Sequence, residues 1–315
     1  MAEPAPATAR AGLSPGRRAW RRLMRNRMAV VSMVILAVMA VLAIVAPLAT
    51  PPSLTETSSA KLQPPSAAHW FGTDVLGRDL FYRVFVGARV SLIVGLAGAA
   101  VSLVIGTTYG LIAGYAGGRI DSAMMRFVDL FYSIPRLIFV LSFIVIFDMA
   151  FRESIAGFAH ETGQSWLINY SRIIILVVVL GLIEWLTMAR VVRGQVLALK
   201  SNQFVTASAA LGQRHSVILF RHLLPNIAGV VVVYLTLTIP AVILDESFLS
   251  FLGLGVDAST ASWGTLLKDG ADSINPIQNQ WWLVVFPAAA MSATLLALNF
   301  LGDGLRDAFD VRSKK

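Results

Sequence analysis

Residues 204–225 read "FVTASAALGQRHSVILFRHLLP" and lie between two of the most apolar segments of the chain. The small residues of Val205–Leu211 favour two turns of helix with an almost bare backbone. Gly212 predicts the end of that helix, because glycine enters the left-handed conformation without a Cβ clash. Pro225 is tolerated in the first turn of a following helix. The stretch therefore predicts a helix, a glycine turn and a second helical segment.

The predicted element is a helix–turn–helix that lies across one face of the molecule. Its second short helix covers Val217–His222, and small residues are expected to face outward. Four apolar side chains are expected to pack against the rest of the protein: Val217, Ile218, Leu219 and Leu223. Small side chains project little from the helix backbone, so a partner can approach this surface closely.

The composition indicates an integral membrane protein. The chain has 315 residues, of which 56% are hydrophobic and 14% charged, and its mean hydropathy is +0.70. Soluble domains are typically about 45–50% apolar. There is no cysteine, which excludes disulfides, thiolate metal sites and cysteine nucleophiles. In a membrane chain the net charge of +8 concerns position relative to the bilayer rather than nucleic acid.

Six segments are predicted to cross the membrane, since a bilayer core requires about 20 apolar residues per helix. The shortest extends backwards through "MMRFVDLFYSIP", where Pro135 breaks or kinks the helix. The six cores are Met28–Ala49, Val90–Ala113, Leu137–Met149, Ile173–Ala189, Ala228–Leu244 and Trp281–Leu301.

The basic residues predict the orientation. With the amino terminus in the cytoplasm, 19 of the 26 Lys and Arg residues lie inside and 7 outside, so both termini are expected to be cytoplasmic. The first span is too long for a cleaved signal peptide. The predicted organisation is a basic cytoplasmic segment (1–27), the first span (28–49), an outer loop (50–89), a five-helix core (90–303) and a cytoplasmic tail (304–315).

Two patterns concern helix surfaces. Gly106, Gly110 and Gly114 recur every four residues in the second span, which predicts a groove for close helix packing, with a substrate path along the groove as the alternative. In the outer loop, "DVLGRDLFYRVFVGAR" (74–89) places Leu76, Leu80 and Val84 on one helical face. This second pattern predicts a separate interfacial helix on the outer surface.

Few residues suggest chemistry within the spans. Glu184 is the carboxylate well inside a predicted span; it pairs with Arg190, lies at a solvated end of the span, or contributes to a translocation path. Asp245 and Glu246, at the outer end of the fifth span, are expected to serve gating or structural pairing. His215 and His222 lack carboxylates in register, so no metal site is expected. No G-x-x-x-x-G-K-[ST] loop is present, and the chain is therefore not expected to hydrolyse ATP.

Several stretches resemble a known family. "VTASAALGQRHSVILFRHLLPN" resembles the EAA loop of binding-protein-dependent ABC importers. Six others resemble C-type permeases of the oligopeptide, dipeptide and nickel importers: "WRRLMRNRMAV", "HWFGTDVLGRDLFYRVFVGARVSL", "GGRIDSAMMRFVDLFYSIP", "ARVVRGQVLALK", "ESFLSFLGLGV" and "LNFLGDGLRDAFD". Together they reach from Trp20 to Asp310.

The resemblance implies an all-α integral membrane protein with the type I importer permease fold and a cytoplasmic coupling helix within 204–225. It implies half of a path for peptides or a related small solute. The implied partners are a second permease subunit, two ATPase subunits carrying ATP and Mg, and a soluble receptor that meets Gly72–Arg89 and Ser247–Lys268. This chain would bind no cofactor itself. The residues implied in ATPase coupling are Val205, Thr206, Ala207, Ser208, Ala210, Leu211, Gly212, His222 and Pro225. The alternative is a self-contained secondary carrier or channel, which is expected to bury several titratable groups near the bilayer midplane.

The sequence departs from the family in three places. Thr206, Ala207 and Ser208 stand where a glutamate and two alanines are usual, so a charged contact is absent. Val311 stands where proline is frequent, and Phe151–Ser171 is expected to form a longer outer loop.

Overall fold

The computed structural model describes residues 15–49, 56–164, 166–257, 260–274 and 279–309. These residues form helices and connecting loops, with an isolated bridge between Thr73 and Asp79 and no β-strand among them. The outermost predicted cytoplasmic residues, including Val311, lie outside the described ranges.

The helices follow one another in chain order. The first five are α1 (Pro15–Leu23), α2 (Arg27–Ala49), α3 (Leu80–Ala116), α4 (Gly118–Tyr132) and α5 (Arg136–Thr162). Then come α6 (Trp166–Asn169), α7 (Ser171–Lys200), α8 (Gln203–Ala210), α9 (His215–Phe251), α10 (Trp263–Asp272) and α11 (Trp282–Phe309).

Five of the described helices are long and apolar enough to cross a membrane: α2, α3, α7, α9 and α11. The pair α4 and α5 passes the same test as one unit, although it is bent by 85° at a break of three residues before Arg136. Pro135 lies in that break, and a proline ring disfavours helical backbone in the residue before it. Counting the bent pair as one span gives the six predicted segments.

The centre of the molecule is the contact between α3 and α7, which pack along most of their length. The three glycines spaced by four residues lie in this contact. A Cβ at Gly106 would come within 2.6 Å of Met188 Cβ, and one at Gly110 within 2.4 Å of the Ala189 carbonyl oxygen. At Gly114 it would meet Val196 Cβ at 2.8 Å. The two backbones approach closely because these side chains are absent.

The other spans surround this pair. α9 packs on α3, α7 and α11, while α2 packs on α3 and α11. The opposite face of α2 exposes a stripe of valines, namely Val31, Val34, Val38, Val41 and Val45. An exposed apolar stripe on a helix of this length is expected to face lipid. At the start of the chain, α1 packs through Ala19 and Leu23 against Ala308 of α11.

The predicted interfacial helix over 74–89 is wrong. α3 begins at Leu80 and continues without interruption through the second span. Gly77 turns the chain with a φ of +77°, and the Asp79 side chain accepts a hydrogen bond of 3.1 Å from the Tyr82 N–H, which caps the helix. Leu80 and Val84 are buried against α10 and α11, so they do not form an outer membrane-facing surface.

The long loop expected over Phe151–Ser171 is also largely absent. α5 continues to Thr162, where Gly163 ends it with a φ of +70°. Helix α6 occupies much of the remainder. An i,i+4 pair between Arg152 and Asp148 (3.1 Å) supports this helical extension.

The close contact between α3 and α7 predicts that a glycine-to-alanine substitution destabilises the chain inside the contact but not outside it. Gly110→Ala forces a Cβ into the α7 backbone and should destabilise the chain by about 1–3 kcal/mol. Gly194→Ala on α7 is the matched control, because its Cβ meets nothing within 4 Å and alanine favours helix by up to about 1 kcal/mol. Thermal unfolding in detergent should give a lowered Tm for the first variant only. Equal Tm values would contradict the close contact.

Candidate functional site

The turn after α8 has the hydrogen-bond pattern of a Schellman motif. The Gln213 N–H donates to the Ser208 carbonyl at 3.2 Å and the Gly212 N–H to the Ala209 carbonyl at 3.0 Å. Gly212 has a φ of +76°, the left-handed conformation expected from the sequence. A Cβ at Gly212 would meet nothing within 4 Å. Only the backbone conformation therefore restricts this position, and space does not.

The outer face of α8 is low and ends in one protruding apolar side chain. Ala207 and Ala210 are exposed, and Leu211 is 81% exposed. Val205 is buried on the inner face. Ser208 was expected to face outward, but it is buried and its hydroxyl donates to the Phe204 carbonyl at 2.7 Å.

Thr206 is exposed on this surface. Its hydroxyl donates to the Gln203 carbonyl at 3.0 Å, within the same helix. The position where a glutamate is usual is therefore uncharged and hydrogen-bonded to its own backbone.

The second half of the element is not a separate helix, contrary to prediction. Residues from His215 onward continue into the fifth span as α9, through a π-helical turn at Ile218–Leu223. Pro225 has no N–H and its ring crowds the carbonyl one turn earlier. The wide turn accommodates it, with the Leu224 N–H bonded to the Leu219 carbonyl five residues before. The segment after the glycine turn and the fifth span are thus one helix.

The described side chains fix this element to the bundle. Ile218 and Leu223 are fully buried, whereas Val217 and Leu219 are half-buried. His222 Nε2 lies 2.9 Å from Gln213 Oε1, which ties the turn to α9.

A cavity of about 530 Å³ lies between the ends of α3 and α7 and the element 203–219. Tyr115, Lys200, Thr206 and His215 contribute to its lining. The Tyr115 hydroxyl lies 2.8 Å from His215 Nδ1. In the part of the chain that the structure describes, no group of three His, Cys, Asp or Glu side chains is placed to hold a metal.

Polar pairs attach α4 to α7. Arg193 makes a two-pronged contact with Asp121 at 2.6 and 2.7 Å. Arg190 contacts Asp129 at 2.5 Å, so the predicted pairing of Arg190 with Glu184 is wrong. One turn further along α7, Thr187 and the Tyr132 hydroxyl form a hydrogen bond of 2.6 Å.

Towards the start of α7, beyond Thr187, Glu184 belongs to an ion-pair cluster that joins three helices. Arg136 of α5 pairs through Nη2 with Glu184 of α7 and Asp245 of α9. Arg136 and Glu184 also line a cavity of about 210 Å³ at the break between α4 and α5. Arg136 is one of the 19 basic residues that the sequence places in the cytoplasm, so its pairing with Glu184 and Asp245 was not predicted. Its place directly after the proline that interrupts a span was the available signal.

Glu246, next to Asp245 on α9, does not belong to the ion-pair cluster and has a structural role. It is fully buried and accepts hydrogen bonds from Ser91 of α3 (2.8 Å) and Ser250 of its own helix (2.7 Å). Ser91 Oγ also accepts the Trp263 N–H at 3.3 Å. Glu246 therefore joins α3, α9 and α10.

The segments expected to meet a receptor, Gly72–Arg89 and Ser247–Lys268, lie against each other. A Cβ at Gly87 would be 3.1 Å from the Ser262 carbonyl carbon. Just beyond, the buried Arg83 pairs with Asp74 at 2.7 Å and with Asp269 at 3.2 Å. The two segments thus pack against each other through buried residues.

The chain matches the models of two known protein families. Residues 106–315 match the model of "binding-protein-dependent transport system inner membrane component". The chain belongs to that family. Residues 14–65 match the "N-terminal TM domain of oligopeptide transport permease C". The chain is therefore a permease component with several membrane-crossing helices, and the matched region 106–315 contains both residues 203–225 and the ion-pair cluster.

Curated relatives resemble nearly the whole chain. The dipeptide transport system permease protein DppC of Bacillus subtilis is 42% identical over 307 residues, covering 97% of this chain and 88% of the relative. The oligopeptide transport system permease protein OppC of Haemophilus influenzae is 41% identical, with 95% and 90% covered. OppC of Escherichia coli K12 is 42% identical, with 95% and 93% covered.

Proposed function

We propose that this chain forms half of the translocation path of an ATP-driven importer of dipeptides or oligopeptides. The observation that carries the proposal is the exposed α8 surface, with its small residues and the protruding Leu211. Relatives named as dipeptide and oligopeptide permeases support the cargo class. A peptide is a polar solute, which cannot cross the bilayer core without such a path.

The energy comes from other chains in this proposal. The sequence has no phosphate-binding loop of the G-x-x-x-x-G-K-[ST] type, so ATP and Mg bind to two cytoplasmic ATPase subunits. A second permease chain forms the other half of the path. An extracytoplasmic binding protein delivers cargo to the surface formed by Gly72–Arg89 and Ser247–Lys268.

The shape of α9 supports a coupling mechanism. It is a single helix from His215 to Phe251, about 55 Å long at 1.5 Å per residue. Its first turns are anchored beside α8 by Ile218 and Leu223, and Asp245 of the ion-pair cluster lies towards its far end. We call residues 203–225 the docking element. Its movement when the ATPase subunits close would tilt α9 and shift Asp245 relative to Arg136. ATP and cargo thereby bias the same two-state equilibrium.

A secondary carrier is the alternative function, and the ion-pair cluster is the observation that favours it, because carriers place titratable groups within the membrane. A carrier would need no exposed docking element. Uptake by this chain alone, driven by an ion gradient, would support the alternative.

The proposed orientation places α8 and both termini in the cytoplasm of an inner membrane. A cysteine introduced at Lys61 or Lys268 should react with an impermeant thiol reagent on intact cells, whereas one at Ser201 should not. The chain contains no cysteine of its own, so the background is absent. Labelling at position 201 would reverse the orientation.

Substitution of Gly212 tests the proposed coupling. Gly212→Val places a β-branched side chain at positive φ, which costs more than the roughly 1–2 kcal/mol of a Cβ there. The variant should insert normally but lose ATPase binding and cargo-dependent ATP hydrolysis. Gly212→Asn is the matched control, because asparagine adopts this conformation more readily and should retain most activity.

The measurement is ATP hydrolysis and peptide uptake by complexes reconstituted in liposomes. The wild-type chain without ATPase subunits should give neither. Wild-type rates for Gly212→Val would exclude residues 203–225 as the coupling element.

A further inference from the structure

Glu184 of the ion-pair cluster lies near the middle of α7, one of the helices long and apolar enough to cross a membrane. At 1.5 Å per residue, it is about 20 Å along the helix from Ser171 and about 24 Å from Lys200. Ionisable side chains inside a membrane-spanning segment are costly and mark functional sites more often than packing sites.

The cluster has an excess carboxylate. Arg136 is shared between Glu184 and Asp245, which leaves a formal charge of −1 when all three groups are ionised. By contrast, Arg193 and Arg190 each meet one carboxylate on α4. An uncompensated negative charge in a medium of low dielectric constant attracts a cation.

The contacts of Arg136 also allow its guanidinium group to leave one of the two carboxylates. It contacts both carboxylates through one nitrogen, Nη2, and not through the two-pronged contact that Arg193 makes with Asp121. Its side chain is 43% exposed, against 9% for Glu184 and 20% for Asp245. The guanidinium can therefore move away from one carboxylate while the carboxylates stay fixed.

The adjoining cavity has room for a ligand and a suitable lining. Its volume of about 210 Å³ corresponds to roughly seven water molecules at about 30 Å³ each. Phe131, Tyr132 and Phe139 contribute aromatic rings to the wall. Aromatic faces attract ammonium groups within about 6 Å, which complements the carboxylates.

We propose that Glu184 and Asp245 bind an ammonium group of a peptide in transit, while Arg136, displaced from one of them, binds a peptide carboxylate. The cluster is thus a cargo-binding site in the path, with a preference for peptides of net positive charge. This inference rests on the proposed function. It assigns charge discrimination to the permease itself, in addition to any discrimination by the receptor.

The test compares ATP-driven uptake of Ala-Lys-Ala and Ala-Glu-Ala, two tripeptides of equal length and opposite net charge. Complexes with ATPase subunits and one fixed receptor are reconstituted in liposomes, and the ratio of the two initial rates is measured at saturating receptor. Receptor preference enters every complex equally, so it cancels when a variant is compared with wild type.

Opposite shifts are expected from opposite charge changes. Glu184→Gln and Asp245→Asn remove a negative charge and should lower the lysine-to-glutamate ratio about fivefold, the upper end for a partly exposed charge pair. Arg136→Gln removes the positive charge and should raise the ratio by a similar factor. Asp245→Glu retains the charge and should keep the wild-type ratio. A merely structural defect would slow both peptides equally.

Asp129→Asn is the matched control, because it breaks an arginine pair on the neighbouring helix and Asp129 neither pairs with Arg136 nor lines the cavity, whereas Asp245 pairs with Arg136. Its ratio should equal that of wild type. Peptide uptake with unchanged ratios in Glu184→Gln and Asp245→Asn would overturn the inference and leave the proposed function intact. Absence of ATP-dependent uptake of either peptide by the wild-type complex would contradict the proposed function, and this inference with it.

Discussion

The close contact between α3 and α7 is the constraint on which the other parts of the structure depend. Lipid gives helices no hydrophobic reason to associate, so they associate through tight packing and polar contacts. At Gly110 the α3 backbone approaches so near that a Cβ would lie 2.4 Å from the Ala189 carbonyl oxygen. α7 then presents Arg193, Arg190 and Glu184 to α4 and α5, and α9 packs on both members of the pair.

The same arrangement connects the two candidate sites. The docking element is held at the ends of α3 and α7, where its buried residues Val205, Ile218 and Leu223 join their apolar side chains. From there α9 reaches the ion-pair cluster without a break in the helix. In the proposed function, this continuous helix connects the surface that receives an ATPase subunit with the path that carries cargo.

Much of this was predictable from the sequence because the signals were local. Apolar runs predicted the spans, and Gly212 predicted a left-handed turn. The exceptions depended on residues distant in sequence. Leu80 and Val84 match an interfacial helix by periodicity, but α10 and α11 bury them.

Ion pairs between helices distant in sequence could not be predicted from neighbouring residues either. Glu184 had Arg190 as its nearest candidate along the chain, yet the bend of 85° between α4 and α5 brings Arg136 to it instead. The wide turn before Pro225, which merges the second predicted helix into α9, accommodates the proline. Proline alone predicts a break or a kink as readily as a wide turn, so the sequence did not indicate a continuous helix.

The central claim is that the α8 surface receives an ATPase subunit on the cytoplasmic side. The most direct measurement is the reaction rate of an impermeant thiol reagent with a single cysteine at Leu211 in inside-out vesicles. With the ATPase subunits bound, the cysteine should be protected, and removing them should restore rapid labelling. Equal labelling in both states, or labelling from the outside of intact cells, would contradict the account.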